Sequence, residues 1–278
     1  GIGLRGYGQK EPLLEFTAPL PVAQLLETAL MNVVHLPTLV ATKAARCVAA
    51  ADGRALADFG ARRAHDIEAA VEAARAAWLA GFSGTSNIEA GHRFGIPVIG
   101  TMAHAFVQAF VDERDAFRAF GRDHPDNAVL LVDTYDTLGG VRHAIEVGEE
   151  LREEGIELAG VRLDSGDLGA LSREARELLD DAGFPDARVM ASGGLDEWGV
   201  HELLAGGAPI DAFGIGTSLT TSRDQPAVDI AYKLVEYDGV AKAKYSEGKL
   251  LLPGAKQVFR PDGPTSDVLG RRHEDLPG

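Results

Sequence analysis

His104 lies in Gly100-Thr101-Met102-Ala103-His104, where a short apolar run, Ile96-Pro97-Val98-Ile99, gives way to a helical pattern starting at Ala105. An imidazole just past a strand sits on the rim where parallel α/β folds assemble their sites. Near neutral pH it can act as base, metal ligand or nucleophile, or it can merely cap the helix. Arg162 and Asp164, in Arg162-Leu163-Asp164-Ser165-Gly166-Asp167, raise a sharper question. Alternate residues of a strand share a face, so these opposite charges point the same way. On an interior face both are expensive unless they pair or hold a ligand. The guanidinium fork suits a carboxylate or phosphate, and Asp164 suits a developing positive charge or a ring nitrogen. Asp167 and Gly166 need only a helix N-cap and a tight turn.

Two glycine turns, Ser192-Gly193-Gly194 and Gly214-Ile215-Gly216-Thr217-Ser218, close successive apolar runs and lead toward helices. Either alone reads as an ordinary turn. In succession they read as a phosphate cradle at helix N-termini. Arg62 and Arg63, directly after a strand, then become diphosphate candidates on the same rim. Gly84-Thr85-Ser86-Asn87 fits a hydroxyl-and-amide anion loop through Thr85 and Ser86, or an N-cap. In Asp133-Thr134-Tyr135-Asp136, one carboxylate is expected to cap the helix at Thr137 and the other to serve Mg²⁺ or ribose hydroxyls. Without cysteine ligands or a histidine pair, zinc is not expected. Trp78, Trp198 and Cys47 read as packing residues, and Glu149–Glu157 as a solvated helix face.

Positioning these residues requires a parallel sheet. Short apolar runs ending in Gly, Asp or Ser, each followed by an amphipathic segment, recur at Ala55–Gly60, Gly95–Gly100, Ala128–Asp133, Leu158–Asp164, Arg188–Ser192 and Asp211–Gly216. A weaker unit lies at Phe82–Thr85. Strands alternating with helices predict parallel pairing, and site-like residues after nearly every strand favour a barrel over an open sheet. Before this rhythm, residues 12–18 alternate like a strand, and 21–51 read as a helix interrupted near Pro37. After Pro226, Val228–Tyr237, Val240–Tyr245 and Gln257–Arg260 read as antiparallel strands, with turns at Asp238-Gly239 and Glu247-Gly248. The tail from Pro261 reads as loop.

The composition is that of a globular protein, with 45% hydrophobic and 25% charged residues. A net charge of −15 argues against nucleic-acid or anionic-membrane surfaces, so anionic substrates would need local arginines and backbone amides. The single cysteine fits a reducing cytoplasm. No apolar stretch approaches the ~20 residues of a membrane span, and no signal-peptide pattern is found. The chain opens at Gly1, and its first residues read like the middle of a longer chain.

The order of motifs resembles the nicotinate phosphoribosyltransferase family. It is carried by Asp58-Phe59-Gly60 with Arg62-Arg63-Ala64-His65, Gly84–Asn87, Gly100–His104, Asp133–Asp136, Arg162–Asp167 and Gly214–Ser218. The resemblance implies an irregular α/β barrel with a partial second α/β sandwich domain. Residues 1–35 would be a sandwich remnant and linking helix, 36–226 the barrel, and 227–278 strands packing with the sandwich plus a loop tail. It implies that nicotinate and 5-phosphoribosyl 1-diphosphate give nicotinate mononucleotide and diphosphate, coupled to ATP hydrolysis through a phosphohistidine at His104. Arg162 would hold the nicotinate carboxylate and phosphoribosyl group, with Asp164 beside the ring or ribose. Asp133 would lie near ribose and Mg²⁺-diphosphate. Ser192, Gly193, Gly194, Gly214, Gly216 and Thr217 would hold the 5-phosphate, and Arg62 would face diphosphate. Thr85, Ser86, Thr101, Asp136 and Arg63 complete the expected substrate contacts. The resemblance also implies a homodimer with shared sites and a longer N-terminal segment. Nicotinamide and quinolinate phosphoribosyltransferases, and a non-catalytic fragment binding phosphoribosyl ligands, are the alternatives.

Overall fold

The structure, a computed structural model, describes residues 2–6, 9–244, 253–259, 268–272 and 274, with side chains from Pro12 onward. It opens with β1 (Ile2–Gly6), β2 (Gln9–Leu14) and α1 (Leu20–Ala50). Then come β3 (Ala55–Asp58), a 3-10 turn at Ala61–Arg63, α2 (Ile67–Leu79), β4 (Gly84–Thr85), α3 (Ile88–Phe94), α4 (His104–Gln108) and α5 (Glu113–Asp123). The rhythm continues through β5 (Ala128–Leu131), α6 (Thr137–Glu153), β6 (Leu158–Leu163), α7 (Leu168–Asp181) and β7 (Arg188–Ala191). It ends with α8 (Glu197–Ala205), β8 (Ala212–Ile215) and α9 (Thr217–Thr220). Short strands follow: β9 (Ile230–Tyr232), β10 (Glu236–Tyr237), β11 (Val240–Ala241), β12 (Lys256–Phe259) and β13 (Val268–Arg271). The chain divides into two compact units, Gly1–Leu36 with Ala227–Gly278, and Pro37–Pro226.

In the first unit β2, β1 and β9 form an antiparallel sheet. Asp238 and Gly239, at φ 51° and 71°, make the tight turn between β10 and β11, a left-handed pair that Asp-Gly adopts readily. The strand expected at 12–18 instead ends at Leu14, and Val228–Tyr237 breaks into β9 and β10. The strand expected at Val240–Tyr245 stops at Ala241, and Tyr245, the Glu247-Gly248 turn and Arg260 lie outside the described residues. Part of the expected loop tail is β13, paired antiparallel with β12. The hydroxyl of Tyr232 donates to the carbonyl of Ala23 at 2.7 Å, tying β9 to the first turns of α1.

α1 runs without a break through Pro37, contrary to the expected interruption. Proline removes one amide donor, but the remaining bonds carry the helix on. This helix also meets the length and mean-hydropathy requirement for a membrane span, with an 18-residue window at 1.3, which corrects the expectation that nothing comes near. Gln24, Glu27, Asn32 and His35 interrupt its apolar run, so counting uninterrupted residues misses it. Its last turns bury Leu39, Val40, Ala44 and Cys47. Burial pushes the Cys47 thiol up to about 12, leaving it a small apolar residue.

The second unit is an α/β barrel built on six parallel strands in the order β4-β3-β8-β7-β6-β5. Registers align Leu163 with Ala191, Ala191 with Phe213, and Phe213 with Leu56. All four are at most 2% exposed and form the face covered by the helices. Each large apolar side chain there contributes about 1.5–3 kcal/mol. The alternate face aligns Leu131, Arg162, Met190 and Ala212, which puts a charge in an otherwise apolar row. Asp66, Asn87, Asp112, Asp136, Asp167 and Asp196 each accept an amide hydrogen bond at a helix start.

The strand expected at Gly95–Gly100 is reduced to one bridge, Thr85 to Val98. Thr85 donates to the Pro97 carbonyl at 3.0 Å and accepts from Ile99 at 2.9 Å, while Pro97 itself has no amide to extend the ladder. Between this segment and β5 no strand pairing joins the described residues, and the Asn127 side-chain amide donates to the Gly100 carbonyl at 3.1 Å. The ring is therefore irregular. Trp198 is 66% exposed, so the expected packing role is not seen. The Glu149–Glu157 face is not simply solvated: Glu150 and Glu154 pair with Arg118 and Arg122 of α5.

Candidate active site at the strand ends

Because every strand of the barrel runs the same way, the residues that follow them gather at one end. Arg162 is the centre. Its Nε donates to Ser192 Oγ at 2.7 Å, Nη1 to Thr101 Oγ1 at 2.8 Å, and Nη2 to Asp164 Oδ1 at 2.6 Å. The guanidinium carbon lies 5.1 Å from the centre of the Phe59 ring, so an aromatic face supports the cation. Arg162 and Asp164 side chains are 14% and 21% exposed. The fork keeps N–H groups beyond those engaged here, available to a carboxylate or phosphate.

Asp164 also accepts from Ser192 Oγ at 2.5 Å. Burial pushes its carboxyl up, but the Ser192 hydrogen bond and the charge and hydrogen bond of Arg162 outweigh that, and it titrates below the ordinary carboxylate value. His104 begins α4, with Nδ1 3.1 Å from Thr134 Oγ1 and Nε2 3.8 Å from Asp164 Oδ2. The imidazole thus joins the Arg162 cluster through Asp164, with its side chain 42% exposed. A nucleophile or base could work there.

Asp133 Oδ2 accepts from the Asp164 amide at 3.1 Å and the Ser165 hydroxyl at 2.5 Å. Its Oδ1 is buried without a partner among the described residues. An orphaned carboxylate oxygen is what a hard cation requires. No group of three His, Cys, Asp or Glu among the described residues builds a protein cage, so a cation here would take its other ligands from water and substrate oxygens. Asp136 caps α6 by accepting from the Gly139 amide through Oδ2, so it is the carboxylate of this pair that caps the helix.

Several other expected contacts act from behind. Thr101 and Ser192 present their hydroxyls to Arg162 rather than to the opening. Thr85 is fully buried and donates to Asp58 Oδ2 at 2.7 Å, while Ser86 is exposed beside it. Asp58 Oδ1 accepts from the Gly60 amide at 2.8 Å, which shapes the turn carrying Phe59. Burial raises the Asp58 carboxyl despite these two donors.

The glycine turns also differ from expectation. A Cβ on Gly214 would stand 2.5 Å from the Phe59 ring, so Gly214 admits the aromatic rather than an anion. Gly193, at φ +92°, approaches the Asp164 carbonyl so closely that a Cβ would lie 1.8 Å from it. The α8 N-terminus is already occupied by the Asp196 carboxylate, and α9 has four residues, so neither helix dipole carries the cradle. The amides of Gly193, Gly194, Gly216, Thr217 and Ser218 donate to no acceptor among the described residues, and these can receive an anion. Arg62 and Arg63 are exposed, with no ion pair among the described residues. Phe59, Thr134 and Ser165 carry roles that their types did not announce, although strand alternation from Ala57 could have placed Phe59 inward.

Residues 54–253 match the model of the nicotinate phosphoribosyltransferase family. The chain belongs to that family. It is 52% identical over 271 residues to a nicotinate phosphoribosyltransferase of Mycobacterium tuberculosis, covering 96% of this chain and 58% of that protein. A Bacillus subtilis nicotinate phosphoribosyltransferase is 51% identical over 257 residues, covering 90% of this chain and 52% of that protein. The crystal structure of human nicotinic acid phosphoribosyltransferase superposes with a TM-score of 0.80 at 29% identity, covering 96% of this chain and 62% of that one. The chain therefore spans less than two thirds of these relatives. Within the family frame the expected barrel, and the placement of Arg162, Asp164 and His104 at one end of it, belong to the same segment that the family model matches.

Proposed function

We propose that the protein transfers a phosphoribosyl group to nicotinate, forming nicotinate mononucleotide and diphosphate, with ATP hydrolysis coupled through His104. The observation that carries this reading is the half-buried Arg162, held by Ser192, Thr101 and Asp164 over Phe59 in a chain of this family. The pyridine nitrogen lone pair forms the bond to ribose C1 as the bond from C1 to diphosphate breaks, and its electrons leave with the diphosphate oxygen. That step needs little proton transfer, so catalysis rests on positioning and electrostatics. Arg162 would orient the carboxylate or phosphoribosyl group, and Asp164 would face the positive charge that grows on the sugar and ring. Free amides at Gly193, Gly194 and Gly216–Ser218 would receive the 5-phosphate, and Arg62 the diphosphate. Mg²⁺ fits Asp133 Oδ1, and when bound would neutralise charge on the departing diphosphate.

In the coupled step the terminal phosphoryl group of ATP passes to an imidazole nitrogen of His104, ADP leaves, and water later releases phosphate. The added charge, about −1.5 to −2, would reorder the loops that hold diphosphate and so tighten substrate binding. Two assays test the reading. The full chain should form nicotinate mononucleotide from nicotinate and phosphoribosyl diphosphate, with nicotinamide a poor competitor. Labelled ATP should leave acid-labile label on the wild type and none on His104→Ala. If ATP still lowers the KM values of His104→Ala, the coupling is wrong. Failure to label the wild type while turnover persists would favour an ATP-independent phosphoribosyltransferase. The reading includes a homodimer, for which light scattering should give twice the chain mass.

A further inference from the structure

Lys43 is the least expected charge in the barrel unit. It is 1% exposed, yet it sits on α1, far in sequence from the two glycine turns. Its Nζ lies 2.6 Å from Glu197 Oε2 and 2.8 Å from Asp224 Oδ1. Arg46, one turn on, lies 3.1 Å from Glu197 Oε1 and 2.8 Å from Asp224 Oδ2. Glu197 is itself buried; both its oxygens lack a hydrogen bond of good geometry among the described residues, and each is faced by one of these two cations as an ion pair. Burial pulls the Lys43 ammonium down, but its close contacts with the Asp224 and Glu197 carboxylates more than restore it, so it stays charged. Lys43 and Glu197 are the buried members, and Arg46 and Asp224, 43% and 40% exposed, close the cluster at its rim. A buried ion pair rarely adds net stability over apolar packing, which leaves the fixing of geometry as its physical use.

What it fixes is specific. Glu197 is the first residue of α8, just past Leu195 and Asp196 after the Ser192-Gly193-Gly194 turn, and Asp224 lies in the segment that leaves α9, beyond the Gly214–Ser218 turn. Lys43 therefore bridges the two segments that leave the two glycine turns. A second buried tie runs parallel to it: Ser218 Oγ donates to the Leu195 carbonyl at 2.6 Å. Together they set the separation of the free amides on either side.

We infer that Lys43 is a positioning residue for the phosphoribosyl phosphate, holding the Gly193–Gly194 and Gly216–Ser218 amides in a fixed relation to one another so that both can serve one phosphate. This rests on the reading of those turns as the phosphate cradle. Lys43 touches no substrate. It acts through Glu197 and Asp224.

The test uses the full chain and compares wild type, Lys43→Met and Asp224→Asn, with KM for each substrate, kcat and thermal melting measured in parallel. Lys43→Met should raise KM for phosphoribosyl diphosphate about tenfold or more, because small displacements of positioning groups cost that much. KM for nicotinate and kcat should stay within about twofold of wild type. Asp224→Asn, whose side chain is 40% exposed, should shift the same KM in the same direction by less. A folded Lys43→Met with an unchanged KM for phosphoribosyl diphosphate, or with both KM values raised in proportion, overturns the inference. If Lys43→Met does not fold, Asp224→Asn decides alone, and an unchanged KM there overturns it. A wild type that binds no phosphoribosyl diphosphate overturns the underlying function instead, so the two failures are distinguishable.

Discussion

Two sets of arginine–carboxylate pairs in this molecule have nearly the same geometry and opposite consequences. On the outer helices, Arg114, Arg118 and Arg122 of α5 meet Glu146 and Glu150 of α6 and Glu154 at its C-terminal cap, at 3.2, 2.6 and 2.5 Å. At the strand ends Arg162 meets Asp164 at 2.6 Å. Distance does not separate them. Solvent does: the partners in the ladder are 28–54% exposed, against 14% and 21% at the strand ends. Exposed pairs are screened and lose side-chain freedom, so each contributes little. The half-buried pair cannot be broken without leaving a charge stranded, which makes it a fixed fixture on which other groups are aligned.

The most disruptive change on the interior side should be Arg162→Lys. A lysine keeps the charge but cannot serve Ser192, Thr101 and Asp164 together, so kcat/KM should fall by about a hundredfold or more with the fold retained. Next in size is Gly193→Ala, which combines a left-handed backbone with a Cβ 1.8 Å from the Asp164 carbonyl. It should lower stability by more than about 2 kcal/mol, whereas Gly194→Ala, at φ +69° with open space, should cost about 1 kcal/mol by melting. Asp164→Asn should then be destabilising by about 2 kcal/mol, since Arg162 loses its counter-charge.

The same aspartate gives a pH signature. Its folded value is lowered, so its stabilising effect is present above the unfolded value of about 3.9 and is lost as pH falls from there through the folded value. Acid unfolding of Asp164→Asn should be less steep in that range than that of wild type. The smallest effect belongs to the ladder. Arg118→Gln should leave kcat/KM unchanged, and its slight melting shift should shrink as salt is raised. A large, salt-insensitive loss there would break the contrast.

The strands β3 and β5–β8 were legible because each is a short apolar run ending in Gly, Asp or Ser, and the shared face of Arg162 and Asp164 follows from strand alternation alone. The partners of that pair were not legible. Thr101 stands 61 residues from Arg162, and nothing in a lone hydroxyl says whether it faces a ligand or an arginine. The same holds for Thr85, whose type suggests an anion loop but whose hydroxyl serves buried Asp58. Pro97 reduced an expected strand to a bridge, and Pro37 failed to stop a helix, because one missing donor weakens a ladder edge more than a long helix. Lys43 carried no signal, being one lysine in a helix whose partners come from the far end of the barrel sequence.

The most direct test compares nicotinate mononucleotide formation by the full wild-type chain, Arg162→Lys and Arg118→Gln under identical conditions. The account predicts turnover by wild type and Arg118→Gln, and a loss of about a hundredfold or more in a folded Arg162→Lys. Equal turnover by Arg162→Lys, or an equal loss in Arg118→Gln, would contradict it.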